Sequence, residues 1–319
     1  MTAMTSATEL SGLIPVNKPT GMTSKDVSRV IVSRFGKLKI GHVGTLDPDA
    51  DGVLPVLIGR ATRLQDYLLN MPKAYSFEFK LGTATDSLDA SGNKILELPW
   101  DHVTIDSIRK VASSFLGQIS QTPPLFSAVK YKGKELYKYA RSGKETSDIP
   151  VQDLARVVEI RTITLDSCEL PFIRMSVQCS KGTYVRSLAL DIAEALATTG
   201  HVTKLTRTES AGFSLAECIS IEHIKGPESR LENLIVPFDR LAIGLPTWSP
   251  DDMLLLQRLV DGQTVLIAPS AWPNINQTLC PDALAKAPDG RSVGIVTANT
   301  VSDDQIKLHL KRGFQCHLI

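Results

Sequence analysis

The order of the periodic segments in the first two hundred residues is the feature that most constrains the fold of this chain. Helix-like spacing of apolar residues and strand-like alternation of apolar and polar residues follow one another there without a regular strand–helix–strand repeat. A doubly wound parallel sheet needs that repeat, because a helix normally carries the chain between parallel strands. The sequence therefore predicts an α+β fold.

Local signals predict where several elements lie. Residues Tyr75 to Leu81 alternate between apolar and polar side chains, which is typical of a strand with one buried face. Ser24 and Thr104 each precede an amphipathic segment and are suitable helix caps. We expect the helix after Ser24 to end near Gly36 and the helix after Thr104 to stop at Gly117. A third helix should begin at Val185 and be closed by Gly200. Strands are expected after Gly52, where the strand is buried, and at 156–166 and 172–179.

The character of the chain changes at about Leu241. One helix-like segment, Asp251 to Val260, is followed by short strand-like runs at 264–268, 292–297 and 306–310 with loops rich in Pro, Asp and Gly. We therefore expect two domains, a first at 1–241 and a small β-rich second domain at 242–319.

Composition bounds the class of protein. The chain has 319 residues, 43% of them hydrophobic and 22% charged, which is typical of a globular protein that buries a sizeable core. The net charge is only +1, so a surface that binds nucleic acid would have to be local.

The cysteines and the N-terminus indicate where the protein acts. Five scattered cysteines form no Cys-x-x-Cys pair, and an odd count leaves one unpaired, which favours a reducing compartment. Met1–Gly12 carries no basic residue and no long apolar run, and no stretch of the chain has the length and apolar character of a membrane span. The expectation is a cytoplasmic protein without a membrane segment, with a monomer as the default.

The segment from Gly41 to Gly52 contains three candidate carboxylates, Asp47, Asp49 and Asp51. Their spacing resembles the start of a calcium-binding EF-hand loop, but the twelfth position of that loop would be Ile58, which offers no ligand. No metal site is predicted. An acidic turn is one interpretation; a reactive Asp47 is the other, because glycines on both sides permit close approach of a ligand.

Two basic segments are candidates for contact with RNA. Residues 126–145 hold five lysines, one arginine, two glutamates and three interleaved tyrosines, so they could bind phosphates and stack on bases, or form a solvated helix face. Residues 180–186 form a glycine turn with Lys181 and Arg186 before a helix, which is either an anion site or an ordinary strand-to-helix connection.

Together these segments resemble the TruB family of bacterial tRNA pseudouridine synthases. The resemblance covers roughly residues 13–225 and includes the stretches 17–24, 41–52 and 81–92 and the two basic segments. It implies a mixed, largely antiparallel sheet with flanking helices, an RNA-clasping insertion at about 121–150, and, more weakly, a PUA-like accessory domain in the tail.

The resemblance also implies the site residues. Asp47 corresponds to the catalytic aspartate, Arg186 to the arginine that pairs with it, and Asp89 to a second carboxylate of the same network. Tyr75 corresponds to the tyrosine that stacks on the base and takes part in catalysis. The implied substrate-binding residues are His42 as a wedge in the RNA loop, Tyr184 and Leu205 in the pocket, and Lys18, Lys130 and Lys132.

The activity implied is isomerisation of uridine to pseudouridine at position 55 of tRNA, by base flipping and aspartate-dependent cleavage and re-formation of the glycosidic bond. The reaction needs no cofactor, and the expected partner is the T arm of tRNA without an obligate protein partner. A non-catalytic protein that binds or folds tRNA is the alternative. The sequence departs from the family pattern at Asp49, Asp51, Ser87 and Arg63, outside the implied catalytic set.

Overall fold

The computed structural model describes residues 10–142, 149–237, 240–241, 243–273, 281–302 and 304–314. Eight α-helices lie within these ranges: α1 Ser24–Phe35, α2 Gln65–Asn70, α3 Ile105–Ser114, α4 Leu136–Ser142, α5 Val185–Ala195, α6 Ile221–Lys225, α7 Leu231–Leu234 and α8 Met253–Val260.

Twenty strands lie within the same ranges, and they form two large sheets and two small hairpins. The strands are β1 Gly12–Lys18, β2 Ile40–His42, β3 Asp51–Ile58, β4 Lys73–Leu81, β5 Thr83–Thr85, β6 Lys94–Glu97, β7 Gly117–Gln121, β8 Lys130–Tyr131, β9 Lys134–Glu135, β10 Arg156–Glu169, β11 Phe172–Cys179, β12 Gly200–Ser210, β13 Phe213–Ser214, β14 Ile219–Ser220, β15 Val236–Pro237, β16 Thr247–Trp248, β17 Val265–Ile267, β18 Asp282–Lys286, β19 Ser292–Ser302 and β20 Gln305–Gly313.

The main sheet has the order β14-β1-β3-β12-β4-β11-β10-β7. Most neighbouring strands are antiparallel; β12 with β3 and β1 with β14 are parallel pairs. Helices α3 and α5 pack their apolar residues into the core behind β4, β10 and β11. The α+β prediction is confirmed.

The central strand β12 was missing from the sequence-based prediction. Its second half, Thr203–Ser210, is almost entirely polar, so the alternation that identifies a half-buried strand is weak. In the sheet this strand pairs with β3 on one side and β4 on the other, with Thr206 opposite Asp51 and Arg207 opposite Tyr75. It therefore brings together two segments that hold predicted site residues.

The cap of helix α1 differs from the prediction. Thr23, not Ser24, is the N-cap, because its hydroxyl accepts from the Asp26 amide while the Asp26 carboxylate accepts from the Thr23 amide. Ser24 is buried at the first helical position and exchanges hydrogen bonds with the main chain of Leu46. That contact ties the helix to the loop that carries Asp47. The predicted cap Thr104 of helix α3 and the predicted end of α1 at Gly36 are confirmed.

The predicted closure of helix α5 at Gly200 is wrong. The helix ends at Ala195, and Gly200 is the first residue of β12. A Cβ atom on Gly200 would lie 2.9 Å from the carbonyl oxygen of Lys80 and 3.2 Å from the Cβ of Ala193. Glycine is needed there because the strand starts in close contact with both the sheet and the helix.

A second sheet, of order β16-β18-β19-β20-β17, lies in the tail. It packs with α8 around its own core, in which Trp248 and Trp272 have ring centroids 5.7 Å apart. A further cluster joins the two sheets, since Leu13 and Leu57 share it with Ile295 and Phe314. The proposed boundary at 241 therefore separates two sheets that share apolar contacts.

Some predictions fall on residues outside the described ranges. These are the N-terminal residues 1–9, Lys144 and Glu145 of the second basic stretch, and Cys280 and Cys316. The described cysteines, Cys168, Cys179 and Cys218, are free thiols. None of the described helices combines the length and apolar character needed to cross a bilayer.

Candidate active site

Asp47 lies in the loop between β2 and β3, here called the Asp47 loop (residues 43–50). The loop turns back on itself through a hydrogen bond from the Ala50 amide to the Asp47 carbonyl, and the Gly21 amide donates to the carbonyl of Pro48. Gly44 has a φ of 74°, a conformation that favours glycine. The Asp47 side chain is 41% exposed, so its carboxylate is accessible to a ligand.

Arg186, in the first turn of α5, fixes that carboxylate. Its side chain is 5% exposed, and one nitrogen lies 2.9 Å from Oδ2 of Asp47. The guanidinium also donates to the carbonyls of Ser87 and Phe126, at 2.7 and 2.9 Å, and lies 3.5 Å from Oδ2 of Asp89. Four protein acceptors thus hold one planar cation in place, and this cation orients the Asp47 carboxylate.

Asp89 supports the arginine from the opposite side. It follows Leu88, whose φ is 63°, and its Oδ1 atom accepts from the hydroxyls of Ser87 and Ser91 and from the Ser91 amide. Because Oδ1 is occupied by this turn, Oδ2 faces Arg186. The predicted trio of Asp47, Arg186 and Asp89 is therefore in one place.

Sequence reasoning missed Arg207, which is 1% exposed and lies beneath the Asp47 loop. It donates to the carbonyls of Val53 at 2.7 Å, Gly44 at 3.1 Å and Thr45 at 3.5 Å. In a strand, residues two apart share a face. Had β12 been recognised, the assignment of Leu205 to the pocket would have placed Arg207 on the same face.

Lys18 is placed differently from the expectation that it binds substrate. Its side chain is fully buried, and its ammonium group donates to the carbonyls of Pro19, Met22 and Pro48 at 2.8, 2.8 and 3.2 Å. Burial lowers its pKa to about 8, although the negative charges of Asp51, Asp47 and Asp49 oppose the change. Lys18 lies at the end of β1 and directs its donors at these carbonyls, so it stabilises the loop.

A cavity of about 440 Å³ opens beside Asp47. Tyr75 is 9% exposed there, and burial raises the pKa of its hydroxyl while Arg207 opposes the shift. Gln121 holds Tyr184 through two hydrogen bonds to its main chain, of 3.0 and 2.7 Å. The cavity wall includes the predicted residues Asp47, Tyr75, Tyr184, Arg186 and Leu205, and also Lys73, Arg156 and Arg207.

His42 is half-buried at the end of β2, five residues before Asp47 in the chain. Burial lowers its pKa, and the positive charges of Arg207 and Lys25 act in the same direction. All three effects favour the neutral form of the ring.

The described part of the basic stretch, residues 126–142, is here called the basic segment. It consists of the β8–β9 hairpin and helix α4. Lys130, Lys132 and Lys134 are exposed, and the amino groups of Lys132 and Lys134 lie 5.2 and 4.4 Å from the ring centroids of Tyr131 and Tyr139. Its first residues, Ser127 to Val129, line the cavity, so the segment adjoins the site.

Comparisons with known proteins identify the family. The N-terminal domain model of TruB family pseudouridylate synthases matches residues 32–185, and the model of the tRNA pseudouridylate synthase B C-terminal domain matches residues 186–242. Proteins named tRNA pseudouridine synthase B are 40% identical over 256 residues in Caldanaerobacter subterraneus subsp. tengcongensis, and 38% identical over 252 residues in Bacillus subtilis. These alignments cover 80% and 77% of this chain and 86% and 80% of the relatives.

The chain belongs to the TruB family. The two TruB models meet at Arg186, yet β12 from the second model lies between β3 and β4 of the first in the main sheet. A Cbf5-Nop10-Gar1 complex contains a chain that superposes with a TM-score of 0.71, is 23% identical, and covers 97% of this chain and 86% of its own length. That likeness shows the fold. Among the described residues no group of His, Cys, Asp or Glu side chains is arranged to hold a metal ion.

Proposed function

We propose that this TruB-family chain isomerises uridine to pseudouridine at position 55 in the T loop of tRNA, with Asp47 as the catalytic nucleophile. One observation carries the proposal: a half-exposed carboxylate lies 2.9 Å from a buried arginine, at the edge of a cavity of about 440 Å³. The names of the relatives support tRNA as the substrate.

The proposed chemistry needs only side chains. The bond from N1 of uracil to C1′ breaks, the base turns, and a bond forms from C5 to C1′, while C5 loses its proton and N1 gains one. Asp47 acts as an ionised carboxylate, either as a nucleophile at C1′ or C6 or as a base on the sugar. Arg186 pairs with it and orients it, and Asp89 positions Arg186 through a contact of 3.5 Å.

The target base has to leave its stack, which costs a few kcal/mol. Stacking on the ring of Tyr75 offsets part of this, at roughly 1–3 kcal/mol per base. Tyr184 and Leu205 form further walls of the cavity. His42 occupies the space that the base vacates, and Tyr75 assists removal of the C5 proton.

Residues outside the pocket also bind the RNA. Lys130 and Lys132, on the exposed hairpin, bind the phosphates of the T arm. The tail after residue 241 acts as an accessory RNA-binding domain of the PUA type. The protein acts in the cytoplasm as a monomer without an obligate protein partner.

Release of tritium from C5-labelled uridine in an unmodified tRNA transcript tests the proposal. Wild type should release tritium from a transcript with uridine at position 55 but not from one with cytidine there. Asp47→Asn should release none while binding tRNA within a few-fold of wild type. Asp49→Asn removes an exposed carboxylate two residues away and should retain turnover.

Turnover by Asp47→Asn would remove Asp47 from the catalytic role. Tight binding by wild type without release from any transcript would instead leave a non-catalytic RNA-binding protein on this fold.

A further inference from the structure

Three arginines line the cavity beside Asp47, and they differ in what they contact. Arg186 has four protein acceptors, and Arg207 donates to three main-chain carbonyls. No described residue accepts a hydrogen bond from Arg156, and its Nε atom is buried without a partner. Buried guanidinium donors are normally satisfied, so this exception requires an explanation.

Arg156 is nevertheless held in place. It begins β10, and its guanidinium carbon lies 4.7 Å from the ring centroid of Tyr184. On another side it packs against Gly182, where a Cβ atom would lie 3.4 Å from that carbon. Both contacts involve the guanidinium without using an N–H donor. The side chain is thus positioned while its hydrogen-bonding capacity stays available.

The neighbouring turn offers further free donors. Gly182 and Thr183 line the same cavity, and within the described part of the chain no acceptor is bonded to either main-chain amide. They precede Tyr184, the N-cap of α5, and so lie near the positive end of that helix. The cavity wall carries four cationic side chains and one carboxylate, Asp47, which Arg186 already pairs. An anionic ligand group fits this wall better than a neutral one.

We propose that Arg156 is a substrate-binding residue that binds a backbone phosphate next to the flipped nucleotide. The inference rests on the proposed function, since it takes the ligand of the cavity to be an RNA strand. A planar guanidinium matches phosphate with two parallel N–H···O bonds, and a ligand phosphate would satisfy the buried Nε. The amides of Gly182 and Thr183 complete the phosphate site.

Binding of tRNA to Arg156→Met, in an Asp47→Asn background without turnover, measures the effect. Affinity should fall about tenfold, and the slope of log K against log salt should become shallower by about 0.7–0.9, the value for one phosphate contact. Arg161→Met is the matched control: Arg161 lies on the same strand, is exposed and pairs with Glu159 at 3.1 Å. Its removal should leave affinity and slope unchanged.

A neutral phosphate in the RNA identifies the contact. Transcripts with a single methylphosphonate on the 5′ or 3′ side of the target uridine should bind wild type about tenfold more weakly at one of the two positions. At that position Arg156→Met should show no further loss. If the loss of affinity caused by Arg156→Met and the loss caused by the methylphosphonate add at both positions, Arg156 contacts neither phosphate.

Stability and turnover separate this role from a structural one. Arg156→Met should melt at the same temperature as wild type, because no protein acceptor loses its partner. In the active background its kcat should stay within a few-fold while KM rises. A lower kcat at unchanged affinity would overturn the proposal and assign Arg156 to the orientation of Tyr184. The binding measurements use protein without turnover, so they do not depend on the tritium assay. Absence of tritium release by wild type would therefore contradict the proposed function but not the phosphate contact of Arg156.

Discussion

The Asp47 loop and the basic segment use the same kind of side chain in opposite ways. Around the loop, Lys18, Arg186 and Arg207 are buried and direct their donors at protein carbonyls and carboxylates. In the basic segment, Lys130 and Lys132 are exposed. Burying a cation is unfavourable unless it is hydrogen-bonded, so the loop cations depend on the acceptors around them.

This difference teaches that a cation beside an RNA site need not bind RNA. A cation whose donors are all used by the protein shapes the site, and one whose donors are free is available to phosphates. Substitutions at the loop should therefore change turnover and stability, whereas substitutions in the basic segment should change affinity and its salt dependence.

The largest effect is expected from Arg186→Gln. The substitution removes the charge 2.9 Å from Asp47 and the donors to Ser87 and Phe126. We expect the single-turnover rate at saturating enzyme to fall about 100- to 1,000-fold, the range for losing one preorganised contact to a reacting group. tRNA affinity should stay within a few-fold. Arg186→Lys keeps the charge but cannot reach four acceptors, so it should recover little of the rate; full recovery would mean that charge alone matters.

Arg207→Met should be the most destabilising change at the loop. It leaves the carbonyls of Gly44, Thr45 and Val53 without their donor, which we expect to lower the free energy of unfolding by about 2–4 kcal/mol. Turnover should fall about tenfold or more because the loop that carries Asp47 loosens.

Arg34→Met is the matched control for that change. Arg34 also donates to three carbonyls, those of Gly226, Pro227 and Ser229, and none of these four residues lines the cavity. It should lose less stability, because it is less buried, and keep full turnover in the tritium assay. Equal loss of turnover in both variants would attribute the Arg207 effect to global stability.

The sequence predicted the parts of this site that short motifs carry. The α+β class, strand β4 with Tyr75, and the helix caps at Thr104 and Gly36 follow from local periodicity and capping chemistry. The proximity of Asp47, Asp89 and Arg186 came from family resemblance, because nothing local relates residues so far apart in the chain. Their roles in the reaction stay predictions.

What the sequence did not reveal depends on burial. Lys18 looks like a candidate for phosphate contact in a sequence, and only the surrounding carbonyls show that it faces the protein. Arg207 lies in a polar stretch, Thr203–Ser210, whose period is obscured because both faces carry polar side chains. Ser24 and Thr23 are equally suitable caps by residue type, and the Asp26 carboxylate, which bonds to Thr23, decides between them.

A smaller effect, confined to binding, is expected from the basic segment. Replacing Lys130, Lys132 and Lys134 by Gln should weaken tRNA binding about tenfold and reduce the slope of log K against log salt by about 2, roughly 0.7 for each lost contact. The rate at saturating enzyme should not change. Replacing Lys94 and Lys110, which are exposed on β6 and α3, is the control. An equal reduction of the slope in both variants would show that the basic segment acts only through the net positive charge of the protein and not through direct phosphate contacts.

An effect confined to stability at high pH is expected from Lys73, a cavity cation whose donors, like those of the loop cations, are used by the protein. It is 5% exposed, donates to the carbonyls of Leu69 and Met71 at 2.9 Å each, and burial lowers its pKa from 10.5 to about 8. Between these two values the unfolded chain holds a proton that the folded protein has released, so stability rises with pH in that window. Below pH 8 the ammonium is charged in both states, and its full desolvation cost applies.

Wild type should therefore gain stability relative to Lys73→Met as the pH rises from 8 to 10.5, by up to about 3 kcal/mol. Urea unfolding of both proteins across this range measures the difference in their free energies of unfolding. The contributions of titrating groups that both proteins contain, including Lys18, cancel in that difference. Lys73→Arg stays charged throughout and should lack the gain as well. If the free energies of unfolding of wild type and Lys73→Met change in parallel with pH, the Lys73 ammonium is as well solvated as an exposed one. Lys73 would then belong with the cations whose donors are available to RNA, and not with Lys18, Arg186 and Arg207.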